Sequence, residues 1–245
     1  MFSFPTDFHN NFLIALRLIH FLAGITWIGL LYFFNLVSTP VSKEIELAAR
    51  VKVYPKLMLK ALWWFRWSAF VTVIVGLAYW GQVIHGDAAG ANATSGVAMG
   101  SFFGIWTVTW AVLYVLLIPG KGILNKGPVL AVLVAIVVIV ASWLFLHINN
   151  HGWESNNLLA IGIGGGMGWV LMLNVWGIVW RIQKRLIAWT VANAENGMPI
   201  PEKAARMQRM AFLVSRISAW LTIPLLFFMA VASHYPMFGG TPLLP

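Results

Sequence analysis

The sequence predicts an all-α fold, a polytopic membrane bundle of about six transmembrane helices, and three observations carry that prediction. Hydrophobic residues make up 60% of the chain and charged residues 9%, with a mean hydropathy of +0.81, which excludes a soluble domain. Apolar stretches of roughly 20 residues, the length that crosses a bilayer, recur along it. Lys and Arg concentrate in alternate connections between those stretches. Residues 1–245 read as a single transmembrane domain.

The first span runs from about Asn11 to Val37, with Pro40 behind it, and the second from about Trp63 to Ile84. The third covers about Phe102 to Ile118 and stops at Pro119-Gly120. Pro128 suits the first turn of the fourth, which ends near His147. The fifth extends from about Leu158 to Trp180, and the sixth from about Met210 to Ser233, with a kink expected at Pro224. Ser42 to Tyr54 and Pro201 to Arg209 read as short amphipathic helices lying on the membrane surface. Glu195-Asn196-Gly197-Met198-Pro199 reads as a turn, and His85 to Gly100, rich in small and polar residues, as an irregular loop.

Charge sets the orientation. Lys43, Arg50, Lys52, Lys56 and Lys60 follow the first span, and Lys121 and Lys126 follow the third. Arg181, Lys184, Arg185, Lys203, Arg206 and Arg209 follow the fifth. The connections Gly86–Ser101 and Ile148–Asn157, and the tail after Tyr235, carry no Lys or Arg. The basic connections are therefore expected in the cytoplasm and both termini outside, on the periplasmic face. Met1 to Asn10 lacks a basic n-region, so no cleaved signal peptide is expected. The net charge of +9 belongs to these loops and to contacts with anionic lipid, and no nucleic-acid-binding module is visible. The chain has no Cys, which excludes disulfides, thiolate metal sites, iron–sulfur clusters and covalent CxxCH haem attachment within it.

Chemistry concentrates in Arg17–Gly29, RLIHFLAGITWIG, within the first span. An ionisable side chain in hydrocarbon is costly and usually serves a function. Helical spacing places Arg17, His20, Gly24 and Trp27 on one face. Gly24 thins that face one turn from the imidazole and leaves room for a flat ligand, for which haem is the first candidate. The alternative is a His bonded to a neighbouring helix, with Arg17 snorkelling to the headgroups. All six histidines, His9, His20, His85, His147, His151 and His234, fall toward the expected outer face. Arg17 is the only Lys or Arg in that half, and a haem propionate or an anionic substrate would neutralise it.

At 1.5 Å per residue, His20 lies roughly 13 Å below the outer boundary, and the Gly162–Gly168 run about 6–15 Å below it. Glycines here, Gly165 among them, permit close approach of either a helix or a macrocycle. A nucleotide loop is excluded, since no strand precedes the run. His234, His147 and His85 each end a helix near the interface, so each is a candidate second iron ligand beside His20 or a plain interfacial ring. His147, His151 and Glu154 also spell HxxxHxxE, a spacing that could hold a divalent metal. The many Trp residues mark interfacial belts and packing, and Asn174 in the fifth span requires a polar partner. Arg66 and Arg216 are placed to snorkel.

Four segments resemble the membrane domain of the bacterial cytochrome-c-type urate oxidases (urate hydroxylases). They are RLIHFLAGITWIG (Arg17–Gly29), LWWFRWSAF (Leu62–Phe70), GWVLMLNVWGIVW (Gly168–Trp180) and LTIPLLFFMAVASHYPM (Leu221–Met237). The resemblance points to His20, Trp27, Asn174 and His234 as site positions and to the bacterial inner membrane as the location. Where the family pattern has a His-Asn pair, this chain reads Ser215-Arg216-Ile217-Ser218, with Ile217 in the His position. The resemblance implies a C-terminal cytochrome c domain, which is not expected within these residues because they contain no CxxCH.

The expectation is a haem-b-binding electron-transfer subunit, working with a periplasmic cytochrome c or a larger membrane redox complex in a hetero- or homo-oligomer. His20 and one of His234, His147 or His85 would ligate the iron, and Arg17 would pair with propionate. The alternatives are a urate- or purine-oxidising membrane enzyme and a structural or assembly subunit without redox chemistry.

Overall fold

The computed structural model describes residues 5–118 and 126–238. Within them the chain is helical, and six helices are long and apolar enough to cross a membrane. The expected stop at Pro119-Gly120 and the charge at Lys121 lie outside the described residues.

α1 (Phe8–Tyr32) starts at Asp7, whose carboxylate accepts the Asn10 backbone N–H at 2.9 Å. It passes through a π-helical turn, Phe33–Ser38, into α2 (Thr39–Glu44). α3 (Leu47–Gly90), α4 (Gly96–Leu117) and α5 (Gly127–Ile148) follow. α6 (Asn156–Asn174) continues through a second π-turn, Val175–Val179, into α7 (Trp180–Asn196), and α8 (Lys203–His234) completes the bundle.

Several boundaries differ from the sequence reading, each for a local reason. The expected irregular loop His85–Gly100 is mostly helix, because Ala and Ser do not stop one. α3 ends only where Asn92 turns left-handed (φ 53°), with Ala93 N–H bonded to the Ala88 carbonyl at 2.8 Å, a Schellman closure. The two expected surface helices are not separate elements. The first is divided between α2 and α3 by a break at Ile45-Glu46, and the second is taken into α8, since nothing between Lys203 and Met210 interrupts helix. The fifth span likewise runs on past Trp180 to Asn196. Gly197, at φ 66°, closes α7 as the predicted turn requires. At 1.5 Å per residue α3 is about 66 Å long, roughly twice the hydrocarbon thickness, so it projects beyond the membrane.

α1 packs along α3, α6 along α8, and α6 also touches α3, α4 and α5. Burial identifies the axis: 78% of the most apolar stretch of the span Asn156–Asn196 is buried, against 11% for that of Phe8–Glu44. Glycine makes α6 the axis. A Cβ on Gly166 would collide with the Trp106 indole and one on Gly162 with Phe145. On Gly164 it would lie 3.0 Å from Phe228 Cβ and 3.2 Å from the Leu225 carbonyl. The indoles then bond to α6 backbone: Trp106 Nε1 donates to the Gly162 carbonyl at 3.1 Å and Trp80 Nε1 to the Leu158 carbonyl at 3.0 Å. Among lipid tails, burial from water does not drive helix association, so close backbone approach and such bonds hold the bundle together.

Candidate functional site

A cavity of about 390 Å³ lies between α1, α3, α6 and α8. Its walls are mainly apolar. Phe21, Ile25 and Leu226 on its rim are exposed, so it opens sideways between α1 and α8 on the lipid-facing surface. Arg17, His20, Gly24, Trp27 and Gly165 all line it. Gly164, Gly165 and Gly168 of α6 line the same cavity as His20.

His20 is the best-defined group. Its Nδ1 lies 2.8 Å from the Thr72 carbonyl. A carbonyl only accepts, so Nδ1 carries the proton and donates. Among the described residues Nε2 has no hydrogen-bond partner, and in the neutral ring it holds the lone pair. Sequence reasoning missed Gly76, the residue that makes this possible. A Cβ there would sit 2.8 Å from His20 Cε1 and 2.9 Å from Nδ1. The available signal was a glycine four residues beyond Thr72, one helical turn above the carbonyl that the ring occupies. Gly24 is not needed in the same way, since a Cβ there would make an ordinary contact 3.7 Å from Thr72 Cγ2.

Two further polar groups border the cavity. The Arg17 guanidinium lies 5.6 Å from the centre of the Tyr79 ring, with its side chain exposed. The Trp27 indole is 3% exposed, yet its buried Nε1 has no hydrogen-bond partner. A buried donor without an acceptor is costly, and this one belongs to a residue of the cavity wall.

The other histidines lie elsewhere. His234 is exposed and does not line the cavity, although the adjacent Ser233 does. His85 is exposed, and His147 stacks on Trp143 with ring centres 5.1 Å apart. The HxxxHxxE spacing does not become a metal cluster. His151 Nδ1 meets Glu154 at 2.6 Å while His147 turns to Trp143, and no group of three or more His, Asp or Glu side chains suited to a metal occurs among the described residues. The helix ends at Ile148, and Gly152 at φ 84° turns the chain, so the three side chains do not share a helical face. Asn174 is bonded at both ends of its amide, accepting from Trp110 Nε1 at 3.1 Å and donating to Ser218 Oγ at 3.2 Å. It joins α4, α6 and α8.

Together these features define a multi-pass helical membrane protein with a histidine-bearing cavity inside its bundle. The Urate oxidase N-terminal family model matches residues 45–243, and the chain belongs to that family. Searches of curated proteins and of solved structures returned no match. The family match includes Thr72, Gly76 and the α6 glycines, whereas Arg17–Gly29 precedes it, so His20 rests on geometry.

Proposed function

We propose that this chain is the membrane unit of a urate-oxidation system and holds haem b in the His20 cavity. One observation carries the reading: an imidazole whose Nδ1–H is fixed on a backbone carbonyl presents an unprotonated Nε2 beside an apolar cavity. A ring N–H held by a carbonyl in this way orients histidine ligands toward metals and raises their basicity. A volume of about 390 Å³ falls in the range of small-molecule and cofactor sites. Gly165 and Gly168 provide a wall without side chains for a flat group, and Arg17 is placed to pair with a propionate. The unsatisfied Trp27 Nε1 offers a donor to an oxygen of the occupant.

Bound haem supplies reversible one-electron chemistry. The chain's own residues hold and orient the group through His20, exclude water with the apolar walls, and neutralise negative charge at Arg17. Among the described residues His20 is the one histidine on the cavity wall, so it would be the protein's ligand to the iron, and the expected pairing with His234, His147 or His85 is not met by the cavity lining. With the basic connections in the cytoplasm, the cavity falls in the outer half of a bacterial plasma membrane. Electrons would then pass to a periplasmic cytochrome c or a partner subunit. A reduced-minus-oxidised spectrum of the purified chain tests this. Haem bands at stoichiometric yield that vanish in His20→Ala are expected, and their absence from the unaltered protein rejects the reading.

Family membership favours a second reading, in which the cavity takes urate or a related purine anion with Arg17 as counter-ion. Urate-dependent reduction of added cytochrome c distinguishes it. The scarcity of polar groups on the walls and the hydrophobic Ile217 weigh against it, because a purine anion presents many hydrogen-bonding atoms.

A further inference from the structure

Arg66 forms a second charged site, separate from the His20 cavity. It is the last cation on α3, with no Lys or Arg between it and Gly90, so it stands furthest into the apolar span. Its guanidinium carbon lies 4.2 Å from the centre of the Trp180 ring, 4.8 Å from Trp176 and 5.3 Å from Trp67. Trp176 Nε1 donates to the Arg66 carbonyl at 3.0 Å, which fastens that indole to α3. The π-turn Val175–Val179 carries Trp176 and leads directly to Trp180. Such turns are rare and often mark functional sites.

Three indoles attract a cation, but they neutralise no charge. Arg66 Nε is buried without a hydrogen-bond partner. The ion pair present among the described residues joins His151 to Glu154, so no carboxylate there pairs with Arg66. An uncompensated guanidinium beside hydrocarbon calls for an anion. The nearest ring, Trp180, immediately precedes the basic run Arg181, Lys184 and Arg185, which shows that the guanidinium reaches toward the basic end of the bundle. Trp67 and its neighbour Trp63, with ring centres 6.3 Å apart, are exposed on the same helix, and indoles on a lipid-facing surface settle at headgroup level.

We propose that Arg66, with Trp67, Trp176 and Trp180, binds the phosphodiester of an anionic membrane lipid of the phosphatidylglycerol class in the leaflet at the basic end. The guanidinium fork donates to the phosphate oxygens, and the exposed indoles lie alongside the headgroup and upper acyl chains.

Native mass spectrometry of the full chain in detergent, titrated with phosphatidylglycerol or phosphatidylcholine of identical acyl chains, tests the site. Retention of phosphatidylglycerol is expected to exceed that of phosphatidylcholine by about fivefold, the effect of one basic residue near a lipid surface. Arg66→Gln should bring the ratio to about one, and Arg66→Lys, which keeps charge but loses the fork, should lower it at least about twofold. A ratio near one in the unaltered protein, or an undiminished ratio in Arg66→Gln, overturns the proposal. If Arg66→Gln does not fold, an undiminished ratio in Arg66→Lys overturns it. Millimolar inorganic phosphate should leave the lipid bound, and displacement would assign the site to a free anion instead.

Discussion

His20 donates its one imidazole proton to Thr72, and Gly76 provides the space in which it does so. Gly76→Ala therefore places a methyl group against the ring and moves it off the carbonyl. Under the proposed function, this variant should bind haem about 10- to 100-fold more weakly, the usual loss when the group that holds a ligand's ring N–H is removed. Gly81→Ala, whose added methyl meets nothing within 4 Å, should leave binding unchanged. Haem titration followed in the Soret band measures both. A second residue-level prediction concerns Asp7, outside the membrane. The Asn10 backbone N–H and then its side chain hold the Asp7 pKa below the ordinary carboxylate value. A depressed folded-state value means that the cap contributes above the unfolded pKa and is lost as pH falls through the folded one. Protection of the first turn of α1 against hydrogen exchange, taken relative to the intrinsic rate at each pH, should thus fall under acid, and Asp7→Asn, which retains an accepting oxygen, should remove that change in protection.

Among the elements, α6 couples glycine to tryptophan. Gly166 is in contact with the Trp106 ring, and that indole is fully buried with its N–H on the Gly162 carbonyl. Gly166→Ala must displace a rigid ring clamped between helices, and overpacking of this kind destabilises by about 1–3 kcal/mol. Thermal unfolding in detergent should show a clear fall in Tm for this variant and none for Gly104→Ala, where an added methyl meets nothing within 4 Å. The glycine run could be read from sequence as a close approach of uncertain partner. The structure divides it: Gly162 and Gly166 receive aromatic rings, Gly165 and Gly168 face the cavity, and Gly164 meets both the cavity and the α8 residues Leu225 and Phe228. Helix ends were read less well than helix centres, because apolarity reports where lipid is and not where hydrogen bonding stops. α3, α7 and α8 accordingly run past their apolar limits.

For the molecule as a whole, the pairs α1–α3 and α6–α8 meet through α6 and α3, and the cavity lies where α1 and α8 diverge. Its sideways opening suits an occupant that arrives from the lipid phase. The expected orientation can be tested directly, since the chain contains no Cys. Thr94→Cys, between α3 and α4, should react with an impermeant thiol reagent applied to intact cells. Glu195→Cys, at the end of α7, should react only after permeabilisation. The reverse pattern would put the His20 cavity in the inner half and remove a periplasmic cytochrome c as its partner.

Composition and the spacing of apolar segments were sufficient to determine six membrane-length helices, because hydrocarbon imposes length and internal hydrogen bonding on any chain that crosses it. Helical periodicity likewise put Arg17, His20, Gly24 and Trp27 on one face. What the tertiary structure decided was which groups on other helices meet that face. It brought Thr72 and Gly76 to the imidazole, left His85, His147 and His234 outside the cavity, and gathered three indoles around Arg66. Those pairings depend on how helices distant in sequence are rotated and set at depth against one another, quantities that one-dimensional spacing does not contain.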